Sequence, residues 1–294
     1  MRINAMTPTT TDDQLELFAG GMSQAVCRVY ARWSAAVAEG HQLSGTLTGP
    51  NCMYGETLPA TARFVDRGPG GSPLAEAIVP EPCFWTPQMP QLYRARLQLR
   101  RDETVAAEVD RSFGIRPLGA AGLRLRLDGK TWAVRGVTKH DIAIDELPLW
   151  HATDTALVIT RPNDALCEAA SRIGVLIVAE LDAADPTDIR RLSQWPAVGV
   201  VSLPTGASPQ LGNLGHNLLL AERFAAGQKV VPAAWADVVI CEVGGLSTLH
   251  VEAPRVPVIV RRPQEVQDVN HARMGCDRLQ GELAPRGQFA GYIV

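Results

Sequence analysis

Two patterns of apolar and polar positions divide this chain. From Ala25 to about Arg116, short runs of β-forming residues are broken by glycine and proline, at 26–31, 42–47, 62–65 and 92–99. The last run alternates apolar and polar side chains, the period of two that marks a strand with one face buried. Turns such as Asp66-Arg67-Gly68-Pro69-Gly70-Gly71 separate these runs, and the set predicts a β-sandwich of roughly 100 residues. Pro117 to Gly122 reads as a linker. Beyond Leu123 the alternation gives way to continuous apolar runs, as in parallel strands buried on both faces. Eight of them, at 132–137, 156–160, 175–179, 198–203, 217–221, 237–241, 256–260 and 290–294, predict a closed (β/α)8 barrel.

The segment 123–294 is short for such a barrel, which typically takes roughly 250 residues, so several outer helices are expected to be short or absent. Three are predicted: 164–173, opened by Asn163 and Asp164; 188–194, preceded by Asp185-Pro186-Thr187; and 265–283. Pro204 to Pro209 holds too many breakers for a helix. A helix-poor ring is also expected to leave apolar barrel wall exposed, and such patches favour self-association or a protein partner.

Composition narrows the function classes. The chain has 294 residues, 46% hydrophobic content and a formal net charge of -3. Lysine occurs only at 130, 139 and 229, and the positive charge, nearly all arginine, reads as scattered rather than gathered into a stripe, which argues against nucleic acid as a partner. Met1 to Asp13 lacks the apolar core of a signal peptide, and no window reaches the roughly 18 to 20 apolar residues of a spanning helix. The expectation is a cytoplasmic protein with no membrane role. Six cysteines, at 27, 52, 83, 167, 241 and 276, form no C-x-x-C pair and read as reduced, buried fillers. His151, His216, His250 and His271 lack metal-ligand spacing, and Gly70-Gly71 and Gly244-Gly245 read as turn glycines. No phosphate-cradling glycine motif occurs. Neither metal nor cofactor is expected.

One ordered series carries more specific information. It runs Phe84-Trp85-Thr86-Pro87-Gln88-Met89-Pro90-Gln91-Leu92-Tyr93, then Phe113-Gly114-Ile115-Arg116, then Leu127-Asp128-Gly129-Lys130 and Arg135-Gly136. The series resembles glycoside hydrolase family 2, which holds β-galactosidases, β-glucuronidases and β-mannosidases. The resemblance continues more weakly through Val137-Thr138-Lys139-His140, through Leu166 to Glu180, and at Gly287 to Tyr292. It implies an immunoglobulin-like β-sandwich over 21–117, closed by the Trp85 strand, after a flexible tail over 1–20. A compact (β/α)8 TIM barrel with reduced helices is implied over 123–294.

The same resemblance implies two catalytic carboxylates, after barrel strands four and seven. The aligned positions hold Gly206, in Val201-Ser202-Leu203-Pro204-Thr205-Gly206, and Arg262, in Val256-Pro257-Val258-Ile259-Val260-Arg261-Arg262. No Asp or Glu lies between Asp188 and Glu222, so small shifts of alignment restore none after strand four. An arginine can neither attack an anomeric carbon nor shuttle a proton. The expectation is therefore a family 2-like protein without catalytic residues, a pseudoenzyme with a binding or interaction role and a possible carbohydrate-like ligand.

The alternative is an O-glycosyl hydrolase that uses relocated carboxylates. Only Glu180, ending strand three, and Glu242, following strand six, can be nominated. Against it stands pairing of both with Arg161, Arg261 or Arg262 in a structural network, and the separation of strands three and six around the ring. Further candidates for ligand contact are His140, Asp141, Trp235 and Arg262. His140 and Asp141 follow strand one, where a histidine could act as base or hydrogen-bond a hydroxyl. Trp85 and Trp132 read as core anchors, and Trp150 and Trp235 are left open as sugar-stacking faces.

Overall fold

The computed structural model describes residues 14–37, 40–68, 70, 72–208, 216–243, 255–264, 266 and 268–294. His250, Gly71, Gly244 and Gly245 lie outside them, as do residues 1–13 of the expected tail. The chain forms two compact units. The first comprises residues up to Asn51, Glu56–Cys83 and Leu92–Ile115; the second comprises Cys52–Gly55, Phe84–Gln91 and Arg116–Val294.

The first unit is an all-β sandwich or half-barrel of seven antiparallel strands: β1 (Leu15–Gly20), β2 (Val26–Trp33), β3 (His41–Asn51), β4 (Ala60–Asp66), β5 (Leu74–Pro80), β6 (Leu92–Arg101) and β7 (Thr104–Phe113). Their order is β1-β2-β5-β4-β3-β6-β7. The sheet turns over at β4, which pairs with β3 from Ala60 to Phe64 and with β5 at Val65 and Asp66. Alternation does what it predicts: Tyr93, Ala95, Leu97 and Leu99 of β6 are buried, whereas Arg94 and Arg96 are exposed. Val29, Ala31, Leu43, Leu47 and Phe64 complete the core. Glu76 is the buried exception, held by Arg28 and by Arg67 at 3.1 Å.

The second unit opens with a three-stranded sheet, β8 (Leu118–Ala121), β9 (Arg124–Leu127) and β10 (Lys130–Trp132). The stretch expected as a bare linker is thus partly strand. Ahead of it, the Arg116 guanidinium is buried and donates to the carbonyls of Pro196, Val198 and Asn217. Burial pulls its pKa down to about 9.

Eight parallel strands then close a barrel: β11 (Val134–Lys139), β12 (Ala156–Thr160), β13 (Ile177–Glu180), β14 (Val198–Pro204), β15 (Leu219–Phe224), β16 (Val238–Glu242), β17 (Val258–Arg261) and β18 (Gly291–Ile293). Closure is by β18 on β11, with Val134 opposite Gly291 and Gly136 opposite Ile293. Four helices appear among the described residues: α1 (Leu147–Ala152), α2 (Asp164–Ile173), α3 (Pro186–Ser193) and α4 (Val269–Leu283). The connection from β15 to β16 is described throughout and carries none. The architecture is therefore a closed eight-stranded parallel barrel with few helices, and the regular (β/α)8 alternation is seen only in part.

Local chemistry explains the helix ends. The Asn163 side chain accepts from Leu166 N, Asp185 from Thr187 N, and Asp268 from Asn270 N and His271 N, each supplying a partner that a first helical turn lacks. Asp268 is the cap of α4, so that helix begins at Val269, later than predicted. None of the helices is long and apolar enough to cross a membrane.

Two expectations need correction. Outer-wall side chains Leu220, Phe224, Val239, Cys241 and Val260 are buried within the single chain, so scarcity of helices does not leave these wall positions bare. By its contacts the Trp85 turn groups with the barrel unit, and it leads directly into β6 at Leu92. The Trp85 indole is fully buried and needs an acceptor, which it finds in Ser171 O of α2 at 2.8 Å. Gly174, the α2 C-cap at φ 89°, lets this turn approach: a Cβ there would lie 2.2 Å from Pro87 O. Four cysteines are buried, but Cys52 and Cys83 are only partly so.

Candidate functional site

Register decides which residues enter the barrel. Residues paired across neighbouring strands face the same side, so the interior series includes Thr138 with Val158, Thr160 with Glu180, Glu180 with Ser202, and Ser202 with Ala221. Two residues beyond Ala221 stands Arg223, and Glu242 pairs with Arg261. Glu180, Arg223 and Arg261 come from the third, fifth and seventh barrel strands. Alternate strands contributing to one interior layer is the packing rule of closed eight-stranded barrels. Because this layer lies at the C-terminal ends of the strands, the charged groups line the mouth rather than the packed centre.

The contacts form one network. Glu180 Oε1 accepts from Arg223 Nη1 at 2.8 Å and from Arg261 Nη1 at 2.7 Å. The same Arg261 nitrogen lies 3.7 Å from Glu242 Oε1. The two carboxylates therefore sit closer than their strand positions suggest, with a guanidinium between them. Side-chain exposure rises outward, from 8% for Glu180 and 10% for Arg261 to 21% for Arg223 and 30% for Glu242. Ser202 Oγ, Thr138 Oγ1 and Arg261 Nε are buried without a hydrogen-bond partner among the described residues.

The remaining predicted residues are not drawn into this cluster. His140 and Asp141 are exposed just past β11, and Asp141 Oδ1 accepts from the Ile142 amide at 2.9 Å, which shapes the turn. Trp235 is half-buried, and its indole donates to Ala207 O at 3.0 Å, tying the loop before β16 to the loop after β14. In the same region Glu222 Oε2 accepts from Ala233 N at 2.7 Å. Gly206 occupies an exposed turn at φ 79° with open space around it.

Arg262, expected at the mouth, is paired with Glu282 of α4 at 2.6 Å. Adjacent strand residues point to opposite faces, so the cation at the mouth is Arg261. Arg223 is not among the residues the sequence nominates, because the apolar run of strand five ends at Ala221 while the strand itself continues to Phe224. The signal was the alternation Leu219, Ala221, Arg223.

Among the described residues no three His, Cys, Asp or Glu side chains cluster as metal ligands. A cavity of about 10 Å³, with room for about one water, is lined by Pro87, Trp132, Arg135, Asp154, Gly174 and Arg273. It lies at the N-terminal ends of the barrel strands, away from the carboxylates.

Comparison with known proteins adds the family context. Residues 27–116 match the family model of glycosyl hydrolases family 2. This match begins upstream of Phe84 and ends before the barrel, so the likeness of the barrel rests on fold. No curated protein sequence matches the chain. Among solved structures, a β-glucuronidase of Bacteroides uniformis aligns with TM-score 0.62 at 16% identity, covering 96% of this chain and 45% of that one. A glycosyl hydrolase family 2 member from Bacteroides cellulosilyticus aligns with TM-score 0.63 at 15% identity, covering 96% and 43%. A β-glycosidase of Bacteroides vulgatus gives 0.59 at 15%, covering 85% and 38%. The chain thus spans less than half the length of these structures. It resembles glycoside hydrolase family 2, and its scaffold is glycoside hydrolase-like.

Proposed function

We propose that this glycoside hydrolase-like scaffold carries no glycosidase turnover and serves a binding or interaction role, with the barrel mouth receiving a carbohydrate-like polar ligand. One observation carries the reading. Arg261 Nη1 lies between Glu180 and Glu242, in the gap where a scissile glycosidic oxygen would have to sit. A retaining glycosidase needs its acid/base and its nucleophile about 5 to 5.5 Å apart with the substrate between them. Here that space is filled by a cation that neither donates a proton at neutral pH nor attacks carbon. Glu180 is further committed to Arg223. The positions expected to bear the catalytic carboxylates are Gly206, in an open turn, and Arg262, paired with Glu282.

In this reading the seven-stranded unit, which with β1 begins at Leu15 rather than after a tail ending at 20, is the immunoglobulin-like domain, and the barrel over 123–294 is a TIM barrel with a reduced helical ring. The protein acts in the cytoplasm, with a second copy or a protein partner and without nucleic acid, membrane or cofactor.

The test is hydrolysis of aryl β-galactosides, β-glucuronides, β-glucosides and β-mannosides by the purified chain. General acid–base assistance is worth about 10²- to 10⁴-fold in rate, and an activated aryl leaving group needs little of it, so the panel is lenient. No release above a protein-free control is expected. The second reading, relocated chemistry at Glu180 and Glu242, draws support from their shared contact with one nitrogen. Turnover abolished by Glu180→Gln or Glu242→Gln would establish that reading and overturn the first.

A further inference from the structure

The outward face of the sheet in the first unit gathers arginines that are distant in the chain. Arg63 of β4 stands opposite Thr46 of β3, Thr46 opposite Arg96 of β6, and Arg96 opposite Asp110 of β7. The neighbouring row runs Thr61, Thr48, Arg94 and Ser112. Directly opposed residues of antiparallel strands share a face, so three guanidinium-bearing positions and three threonines occupy one surface. Strands lie about 4.8 Å apart and advance about 3.4 Å per residue, which separates these arginine positions by roughly 7 to 12 Å on a rigid support.

The positive charge is under-compensated and open. Arg94 and Arg96 side chains are 62% and 64% exposed. Asp110 serves both, in a two-pronged pair with Arg94 at 2.6 and 2.8 Å and at 3.3 Å from Arg96 Nε. In the next row Glu108 accepts from the Gln98 amide at 2.7 Å. Exposed Arg63 makes no hydrogen bond or ion pair among the described residues. Thr48 and Thr61 hydroxyls lie 3.0 Å apart, beside Arg94.

Guanidinium groups match tetrahedral oxyanions in a fork geometry, and hydroxyls between them donate to the remaining oxygens. No aromatic ring occurs in these rows, which removes the stacking platform that single-stranded nucleic acid uses. We propose that this sheet face binds a sulfated polysaccharide, with Arg63, Arg94 and Arg96 engaging sulfate esters on successive sugar units.

The test titrates the full chain with dextran sulfate, using neutral dextran, duplex DNA and poly-glutamate in parallel, at low and near-physiological salt. Dextran sulfate is expected to bind at low salt, to weaken as salt screens the arginines, and to exceed the other three. The double variant Arg63→Gln/Arg96→Gln should lose about tenfold in affinity, since exposed charges each contribute modestly. Arg172→Gln, which removes one charge from α2 and none from this face, should bind as the parent does. Because Arg63 holds no partner among the described residues and Arg96 makes only an exposed contact with Asp110 at 3.3 Å, the double variant should melt within a few degrees of the parent, so lost binding reports on the surface. Equal binding by parent and double variant, absence of binding at low salt, or preference for DNA or poly-glutamate would each overturn the proposal.

Discussion

Replacing Glu180 by glutamine tests the central network directly, because this carboxylate alone accepts from both interior guanidiniums. The amide keeps an acceptor oxygen but no charge. Arg261, with only a tenth of its side chain exposed, is then left with Glu242 at 3.7 Å, a partner that is itself nearly a third exposed. Breaking a buried ion pair by removing one partner typically costs about 3–5 kcal/mol, since the remaining charge stays buried. The retained acceptor and the outer glutamate favour the lower end, about 3 kcal/mol. For a unit of this size each kcal/mol moves the midpoint by about 2–4 °C, so a fall of roughly 6–12 °C is expected. Five of the six tryptophans, Trp85, Trp132, Trp150, Trp195 and Trp235, lie in the barrel unit, so their fluorescence follows its unfolding separately from the first unit. Glu242→Gln, which removes a longer and more exposed contact, should cost no more than about 1 kcal/mol. Equal midpoints for the two variants would refute the argument that Glu180 is the buried anchor of the network.

Gly174→Ala should destabilise the barrel unit by about 2–4 kcal/mol, from the left-handed backbone at φ 89° and the required retreat of Pro87 O from a new Cβ; a thermal midpoint unchanged from the parent would contradict it. Acid should weaken the first unit through Glu76, whose pKa the Arg28 hydrogen bond lowers against an opposing effect of burial, with Arg67 assisting. A lowered folded pKa contributes stability that is present above the unfolded value of about 4.3 and is lost as pH falls through the folded value. Protection of amides along β2 and β5, taken relative to their intrinsic exchange rate at each pH, should therefore fall below about pH 4 in the parent, whereas Glu76→Gln should show a smaller pH effect there; equal acid sensitivity would exclude Glu76 as the cause.

Elements whose own residues carry the signal were legible without a structure. β6 alternates cleanly, α2 begins and ends at its Asn163 and Gly174 caps, and eight apolar runs stand in the order in which the barrel closes. Elements were lost where a tertiary partner substitutes for pattern. In β5 the buried Glu76 interrupts the apolar series because Arg28 and Arg67 neutralise it, and edge strand β7 is exposed at most positions.

The sequence alone supplied the expectation that the family's carboxylate positions hold Gly206 and Arg262, and it placed Glu180 at the end of strand three and Glu242 just after strand six. Only the closed barrel decided that one guanidinium reaches both glutamates, and that it belongs to Arg261 rather than Arg262. A single residue of strand register reverses the face, which composition does not encode. The sheet likewise brings Arg63 and Arg96 to one surface although the chain scatters them. A charged side chain is defined by its partners, and ring closure and cross-strand register choose those partners from residues far apart in sequence.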